Sequence, residues 1–371
     1  MRVVMLSKAL VVGAYQKKAE ELARFADVEL TVIVPPAWRE AGRSIELEKS
    51  YDRGYDLVVE GMALNGSFHL HFYPHLGRRL QQIRPHVFHI DEEPYNFATL
   101  HAIWLAGRLG ARTLFFTWQN IYRQLPPPFS LFERYVLARA DIGIAGSEGA
   151  KEVLLRKGFR KPIAVIPQFG VDPDIYSPAA EAGIAVGSPS RPFVIGYVGR
   201  MIEAKGLKVL IEAVAGVQGR WELHLIGSGN LAPLLQRYVQ DLGIADRVRF
   251  TPPVPSTQMP EELRRFDVLV LPSITTPSWK EQFGRVLIEA MACGVPVIGS
   301  DSGEIPLVVG DAGLIFREGD AGDLRSRLLA LREDLAQRKR LAVAGRQRVL
   351  AYYTQAKVAE ETHRLYQLLL T

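Results

Sequence analysis

The stretch Lys280–Val297 holds two carboxylates around a glycine and a run of apolar residues. Glu281 lies in a predicted loop, and Glu289 lies inside a predicted helix whose neighbours are apolar up to Val297. A helix that is apolar on every side is buried, so we expect the Glu289 carboxylate to be buried. A buried carboxylate needs a hydrogen-bonding partner, and we expect none from its neighbours in sequence. Ligand hydroxyl groups are therefore its predicted partners.

The start of this helix is predicted to bind an anion. Phe283, Gly284 and Arg285 open the helix, where the first backbone N–H groups have no partner within the helix. Glu281 precedes this point, and Glu289 follows it by little more than a turn. The pattern favours a ligand with hydroxyl groups on both sides of a diphosphate, which is a nucleotide sugar. An exposed helix face, or an ion pair with a distant arginine, is the alternative for Glu289.

Two cations, Arg200 and Lys205, lie between a predicted strand and the helix that follows. The positive end of a helix dipole opposes a cation at a helix start, so a bound anion would stabilise both. Arginine can bind a diphosphate with two hydrogen bonds, whereas lysine acts as a point charge. Taken without the other residues, the pair is more simply interpreted as solvated surface cations.

Short apolar runs alternate with longer amphipathic stretches, which is typical of parallel βαβ units. The predicted strands are Val3–Leu6, Val28–Val34, Val87–Ile90, Thr113–Thr117, Ile142–Ala145, Ile163–Ile166, Phe193–Val198, Glu222–Ile226, Val248–Thr251, Val268–Leu271, Val297–Gly299 and Gly313–Phe316. The predicted helices include Gln16–Phe25, Lys208–Ala215, Leu231–Leu242 and Arg285–Ala292, and Asp320 to Leu370 is predicted to be helical throughout.

A chain of 371 residues is longer than one ordinary domain. Residues 170–192 are rich in Pro, Gly, Ser and Ala and lack a sustained period, which is typical of a linker. We expect an α/β fold with two Rossmann-like, doubly wound parallel-sheet domains facing across a cleft, at residues 1–172 and 190–349, joined by 173–189. The C-terminal helix at about 350–371 is expected to pack on the first domain. Ligands of such folds bind at the carboxyl ends of strands.

Composition limits the class of protein. Hydrophobic residues make up 48% and charged residues 23%, as in soluble globular proteins, and no apolar stretch is long enough to span a bilayer. Cys293 is the only cysteine, which fits the cytoplasm. Residues 1–170 carry the whole net charge of +5. This favours a lipid phosphate, an acidic glycan or the inner membrane face as a partner, with scattered surface cations as the alternative; no nucleic-acid module is present.

Together these residues resemble the retaining GT-B glycosyltransferases of family four, over nearly the whole chain and most strongly from 193 to 316. The matching motifs are Glu-x7-Glu at Glu281 and Glu289, the cations Arg200 and Lys205, Ile226–Gly229, Pro272-Ser273, Glu289–Val297, Gly303–Pro306, Glu93-Pro94, Ser147 and Phe169–Asp172.

The resemblance implies that a hexosyl unit moves from a nucleotide-diphosphate sugar to a glycan, lipid-linked or small-molecule hydroxyl, with retained configuration and without a metal or other cofactor. Arg200, Lys205 and Glu281 are the implied catalytic residues, with Glu281 on the sugar hydroxyls. The implied donor-binding residues also include Glu289 on the ribose, Gly13 near the sugar phosphate, the phosphate-site residues Phe283, Gly284 and Arg285, and Gly227, Pro253 and Val254.

The first domain departs from the family at one point. Many relatives carry a histidine after the strand that corresponds to Thr113–Thr117, and here Trp118, Gln119 and Asn120 follow instead. These three and Glu93 are the expected acceptor or sugar-side residues. The loop Tyr122–Phe129, with Arg78, Arg79 and Arg84, is expected either to meet a membrane or a lipid-linked acceptor, or to be a proline-stiffened connection.

Two other functions stay open on the sequence. One is a different sugar-nucleotide enzyme of the same fold, such as an epimerase, and the other is a non-catalytic nucleotide-sugar-binding protein. The compact Glu-x7-Glu segment favours transfer over epimerisation. A non-catalytic protein is opposed by the presence of all four expected site residues, Arg200, Lys205, Glu281 and Glu289.

Overall fold

A computed structural model describes residues 1–40, 43–179 and 191–371. The chain forms two compact units, Met1–Gly170 with Gln355–Thr371, and Val171–Thr354. Residues 173–179 of the predicted linker therefore belong to the second unit, and its residues 180–189 lie outside the described residues.

The first unit contains a seven-stranded parallel sheet in the order β5-β2-β1-β6-β7-β8-β9 and a separate antiparallel hairpin, β3-β4. Its strands are β1 (Arg2–Leu6), β2 (Glu29–Val34), β3 (Ala37–Glu40), β4 (Arg43–Glu46), β5 (Asp56–Val59), β6 (Val87–Ile90), β7 (Arg112–Thr117), β8 (Ile142–Ala145) and β9 (Ile163–Val165). Its helices are α1 (Lys17–Ala23), α2 (Leu76–Ile83), α3 (Phe97–Leu109), α4 (Phe129–Arg139), α5 (Glu148–Arg156) and α13 (Gln355–Leu370).

The order of the strands fixes where this unit can bind a ligand. From β1 at the centre of the sheet, β2 and β5 are added toward one edge, and β6, β7, β8 and β9 are then added toward the other edge. The strand order therefore reverses between β1 and β6. Val3–Leu6 of β1 and Val87–Ile90 of β6 are buried on both faces, which explains why they are apolar apart from His89. The loops after β1 and β6 separate at this reversal and leave an opening at the carboxyl edge of the sheet.

Helix α13 completes the core of the first unit. Val358, Ala359, Tyr366 and Leu369 pack with buried residues of β1 and β2. The Tyr366 hydroxyl and Nδ1 of His89, in β6, are 2.7 Å apart in a buried hydrogen bond. The end of the chain is therefore part of the first unit's core.

The second unit contains a six-stranded parallel sheet in the order β12-β11-β10-β13-β14-β15, which reverses between β10 and β13. Its strands are β10 (Phe193–Val198), β11 (Trp221–Ile226), β12 (Val248–Thr251), β13 (Val268–Leu271), β14 (Val297–Ser300) and β15 (Leu314–Phe316). Its helices are α6 (Leu207–Ala215), α7 (Ala232–Asp241), α8 (Met259–Arg264), α9 (Arg285–Ala292), α10 (Ile305–Val309), α11 (Ala321–Glu333) and α12 (Leu335–Tyr352).

The structure corrects the predicted elements in two places. The hairpin and β5 were not predicted, because β5 is a half-exposed edge strand and the hairpin is short and charged, so neither has an apolar run. The helix predicted from Asp320 to Leu370 is three helices. Asp334 is extended and its carboxylate accepts a hydrogen bond from the Gln337 N–H (2.8 Å), which ends one helix and begins the next.

We expect Tyr366→Phe to lower the free energy of unfolding by about 1 to 3 kcal/mol, because His89 then keeps a buried nitrogen without its partner. Tyr366→Ala should cost roughly 3 to 5 kcal/mol, since it also leaves a cavity. Urea denaturation measures both. Tyr352→Phe, at a tyrosine that is 60% exposed, is the control and should change the value by less than about 0.5 kcal/mol. Equal effects at the two tyrosines would contradict the role given to α13.

Candidate functional site

The loops after β10 and β13 meet at the carboxyl edge of the second unit's sheet. Lys205 Nζ lies 2.5 Å from Glu281 Oε2, and the Ser273 hydroxyl donates to the same oxygen at 2.7 Å. Lys205 also lies over the Trp279 ring, 4.9 Å from its centroid. Glu281 is only 6% exposed. Lys205 and Glu281 are far apart in sequence and were predicted only to bind the same ligand. In the structure they are in direct contact.

Glycines allow these loops to approach each other. Gly206 has a φ of +64°, and a Cβ there would lie 1.9 Å from the Pro272 carbonyl oxygen. Gly303 has a φ of +57°, and a Cβ there would lie 2.1 Å from the Glu281 carbonyl oxygen. Any side chain would push the backbone around Glu281 aside. The position of the carboxylate thus depends on two glycines from other loops.

Arg200 follows β10 on the same edge. Its backbone is fixed, because its carbonyl accepts a hydrogen bond from the buried Tyr197 hydroxyl at 2.7 Å, while its side chain is exposed. Gly227, after β11, has no room for a side chain, since a Cβ would lie 1.9 Å from the Gly199 carbonyl oxygen. The neighbouring N–H of Met201 donates to Ser228 (2.8 Å). The loops after β10 and β11 are therefore also joined backbone to backbone.

Glu289 in α9 corrects one prediction. Its carboxylate is buried, as expected, but its partner is a sequence neighbour, since Arg285 Nε lies 2.8 Å from Glu289 Oε1. Burial raises the pKa of Glu289, and Arg285 and a hydrogen bond from Tyr176 oppose that rise. The i, i+4 spacing could have indicated this pair.

The other predicted donor residues lie around this edge. Gly284 has a φ of +78° and immediately precedes α9, while the Phe283 ring is buried against Tyr353, with 5.6 Å between ring centroids. Pro253 is exposed and Val254 half-buried in the loop after β12. That loop is tied to its neighbour, because the N–H of Gly227 donates to the Thr251 carbonyl at 2.9 Å.

Gly13 lies in the first unit, in a turn after β1. Its N–H donates to Glu48 Oε2 at 2.7 Å, and a Cβ there would lie 2.2 Å from the Ser50 hydroxyl oxygen. These contacts within the first unit leave no room for a side chain and therefore explain why the residue is a glycine. Its predicted place near the sugar phosphate stays a prediction.

Glu93 and Trp118, both predicted on the acceptor side, are brought together. The Glu93 carboxylate accepts hydrogen bonds from the Thr117 hydroxyl (2.6 Å) and the Trp118 N–H (2.8 Å). Burial raises the pKa of Glu93 to about 7, although both hydrogen bonds favour the charged form. Gln119 contacts a different group, since its Oε1 accepts from Lys157 Nζ at 2.7 Å, and Asn120 is buried.

Sequence reasoning missed a second ion pair, in the first unit. The Lys8 ammonium, in the loop after β1, contacts the Glu92 carboxylate, in the loop after β6. Burial would raise the pKa of Glu92, but Lys8 and His71 outweigh it and lower the pKa to about 2. Only the strand order, which brings the two loops together, reveals the pair.

Two further findings concern metals and membranes. In the described ranges, no group of three or more His, Cys, Asp or Glu side chains is arranged to hold a metal ion. No helix in the same part of the chain combines the length and the apolar character needed to cross a bilayer. In the loop Tyr122–Phe129, for which membrane contact and a proline-stiffened connection were the two expectations, Tyr122 lies under the Arg156 guanidinium, 4.0 Å from the ring centroid. Arg79 pairs with Glu60 at 2.8 Å.

Comparison with known proteins gives matches over most of the chain. The model for glycosyl transferases group 1 matches residues 183–348, and that for glycosyltransferase family 4 matches residues 17–175. The D-inositol 3-phosphate glycosyltransferase of Stackebrandtia nassauensis is 33% identical over 256 residues, which is 64% of this chain and 56% of that protein. The one from Corynebacterium jeikeium is 28% identical over 317 residues, 74% of this chain and 73% of that protein. The chain thus spans little more than half the length of the Stackebrandtia nassauensis protein.

Solved structures share the fold over their whole length. A glycosyltransferase from Rickettsia africae has a TM-score of 0.76 and 18% identity, covering 100% of this chain and 98% of that chain. Anabaena Alr3699/HepE, solved in complex with UDP, has a TM-score of 0.75 and 17% identity, covering 99% and 100%. The predicted fold class, two Rossmann-like parallel-sheet domains of the GT-B type, is confirmed.

We expect Glu93→Gln to change how stability depends on pH. The folded pKa of about 7 lies above the ordinary 4.5, so the folded protein keeps a proton that the unfolded chain loses. The free energy of unfolding of the wild type therefore falls as pH rises through this interval. Between about pH 5 and pH 8, the free energy of unfolding of the variant should therefore rise relative to that of the wild type by on the order of 2 kcal/mol.

Urea denaturation at several pH values measures this difference. Glu148→Gln, at an exposed glutamate of α5, is the control. Parallel stability curves for wild type and Glu93→Gln across this pH range would contradict the burial-raised pKa.

Proposed function

Because the chain belongs to the family-four glycosyltransferases of the GT-B fold, we propose that it transfers a hexosyl unit from a nucleotide-diphosphate sugar to a hydroxyl acceptor with retained configuration. The contact of Lys205 with Glu281 at the strand-order reversal of the second unit is the observation that carries the proposal. It places a cation and a carboxylate side by side where open α/β sheets bind their ligands.

The donor diphosphate would lie against Lys205, Arg200 and the start of α9. Lys205 is directed by Glu281 and Trp279, whereas the exposed guanidinium of Arg200 extends from a fixed backbone. A cation that already lies against a carboxylate can bridge that carboxylate and a phosphate. Glu281 would hold hydroxyl groups of the sugar. Glu289 would bind the ribose, beside its partner Arg285.

The chemical step follows from these charges. As the bond from the sugar's anomeric carbon to the phosphate oxygen breaks, negative charge grows on the departing diphosphate. Lys205, held against Glu281, and the start of α9 are in place before the reaction and stabilise that charge with little reorganisation, and the guanidinium of Arg200 adds a second cation. The departing phosphate oxygen then takes the proton of the acceptor hydroxyl, which attacks the same face of the sugar. A product of inverted configuration would contradict this step.

The nature of the donor base and of the acceptor belongs to the same proposal. Uracil is the first candidate for the base, because Alr3699/HepE of the same fold was solved with UDP. The relatives are named D-inositol 3-phosphate glycosyltransferases, but this chain matches only part of some of them. The donor is therefore the part of the proposal to be tested first.

Thermal unfolding with UDP-, GDP- and ADP-sugars, in the presence of a chelator, tests the donor site. A donor at a hundredfold its dissociation constant should stabilise the folded protein by about 2.7 kcal/mol. We expect one nucleotide class to do so, and Arg200→Ala to reduce the effect. Arg237→Ala, at an exposed arginine of α7, is the matched control. Stabilisation by none of the donors, or equal stabilisation of both variants, would contradict the assigned site.

A further inference from the structure

The second unit begins with a short irregular segment, residues 171–177, that is fixed to its helices. Arg264, in α8, donates hydrogen bonds to the carbonyl oxygens of Ser177 (2.7 Å) and Ile175 (3.2 Å). Tyr176 lies between these two residues in sequence. Its backbone is therefore held in place on both sides.

A second arginine joins this segment to α9. Arg346, in α12, donates to the carbonyl oxygens of Tyr176 (3.2 Å) and of Ala292 (2.6 Å), the last residue of α9. Glu289 lies three residues before Ala292 in the same helix. One guanidinium group thus sets the distance between the backbone of Tyr176 and the helix that carries Glu289. Tyr176 and Glu289 are each only 7% exposed.

The side chain of Tyr176 reaches the ion pair of Glu289 and Arg285. Its hydroxyl group donates a hydrogen bond to the Glu289 carboxylate and accepts one from the Arg285 guanidinium. Arg285 Nε in turn lies 2.8 Å from Glu289 Oε1. Two partners from different parts of the chain therefore fix the orientation of this carboxylate before a ligand binds.

The same contacts leave the carboxylate able to bind two neighbouring hydroxyl groups. An ionised carboxylate can accept about four hydrogen bonds, and Tyr176 and Arg285 account for two of them. Burial raises the pKa of Glu289, whereas Arg285 and Tyr176 lower it and so favour the ionised form, which can only accept. The 2′- and 3′-hydroxyl groups of a ribose are a matching pair of donors.

We propose that Tyr176 is a positioning residue of the donor site, which holds Glu289 in the orientation that binds both ribose hydroxyl groups. It thereby gives the site a preference for ribonucleotides over 2′-deoxyribonucleotides. The inference rests on the proposed function, which assigns the ribose to Glu289. Residues 171–177, which lie outside the sheet, then take part in choosing the donor.

Matched pairs of nucleotides test this proposal by calorimetric titration, which needs no transfer. The pairs are UDP with 2′-deoxy-UDP, GDP with 2′-deoxy-GDP, and ADP with 2′-deoxy-ADP. We expect the wild type to bind one ribonucleotide about tenfold more tightly than its deoxy partner, because the deoxy form leaves a buried carboxylate oxygen without a donor. In Tyr176→Phe this ratio should fall by about threefold or more, through weaker binding of the ribonucleotide.

The ratio separates positioning from packing. A role in packing alone would weaken both members of a pair equally, so an unchanged ratio in Tyr176→Phe would overturn the inference. Tyr238→Phe is the matched control, since the Tyr238 hydroxyl donates to Glu212 Oε1 (2.7 Å) elsewhere in the second unit and its loss should leave the ratio unchanged. Should Tyr176→Phe fail to fold, Tyr176→Met replaces it, because methionine also lacks the hydroxyl group and fills irregular space.

A double-mutant cycle shows whether Tyr176 acts through Glu289. Glu289→Gln should lose most of the preference for the ribonucleotide, and adding Tyr176→Phe should then lower the ratio no further. A further fall in the double variant, equal to that in the single one, would overturn the inference.

The inference and the proposed function fail in different ways. A preference that is lost in Glu289→Gln but kept in full by Tyr176→Phe would overturn the inference alone. Equal binding of both members of a pair by the wild type would remove the ribose role of Glu289 and the inference with it, but would leave the transfer standing. Binding of none of the three ribonucleotides would overturn both.

Discussion

The ion pair between Lys205 and Glu281 is the contact on which the second unit's site depends. It joins the loops on either side of the strand-order reversal, and it exists only because Gly206 and Gly303 let the backbones approach. Removing two charges from water is expensive, so a pair of this kind is weak evidence of stabilisation. Its position at a sheet edge, beside Arg200 and the start of α9, instead suits a site prepared for an anion.

The first unit repeats this arrangement with a different chemical result. In each unit a lysine in the loop after one strand at the reversal pairs with a glutamate in the loop after the other, as Lys8 does with Glu92. Around Lys205 the additional groups favour negative charge in a ligand. Around Lys8 they are the aromatic rings of Trp38 and Phe68 and the carboxyl groups of Asp91 and Glu93.

Much of the fold was predictable because buried parallel strands have continuous apolar runs. Phe193–Val198 and Val268–Leu271 were predicted with the observed bounds, whereas the edge strand Asp56–Val59 lacks such a run and was missed. The sequence suggested which residues to consider for the candidate site, but it did not reveal their contacts. The pairs of Lys205 and Lys8 depend on strand order, which a single sequence does not reveal. The Arg285–Glu289 pair, by contrast, could have been inferred from its spacing.

Calorimetric titration of UDP, GDP and ADP tests most directly whether the Lys205–Glu281 contact binds the donor diphosphate. For the nucleotide that binds, the account predicts that Lys205→Ala weakens binding about tenfold or more, because a charged contact to phosphate is lost. Glu281→Gln should not weaken it, since it removes a negative charge beside the phosphate, yet it should abolish transfer. Lys208→Ala, an exposed lysine one turn away in α6, should bind like wild type. Equal affinities for Lys205→Ala and Lys208→Ala would contradict the account.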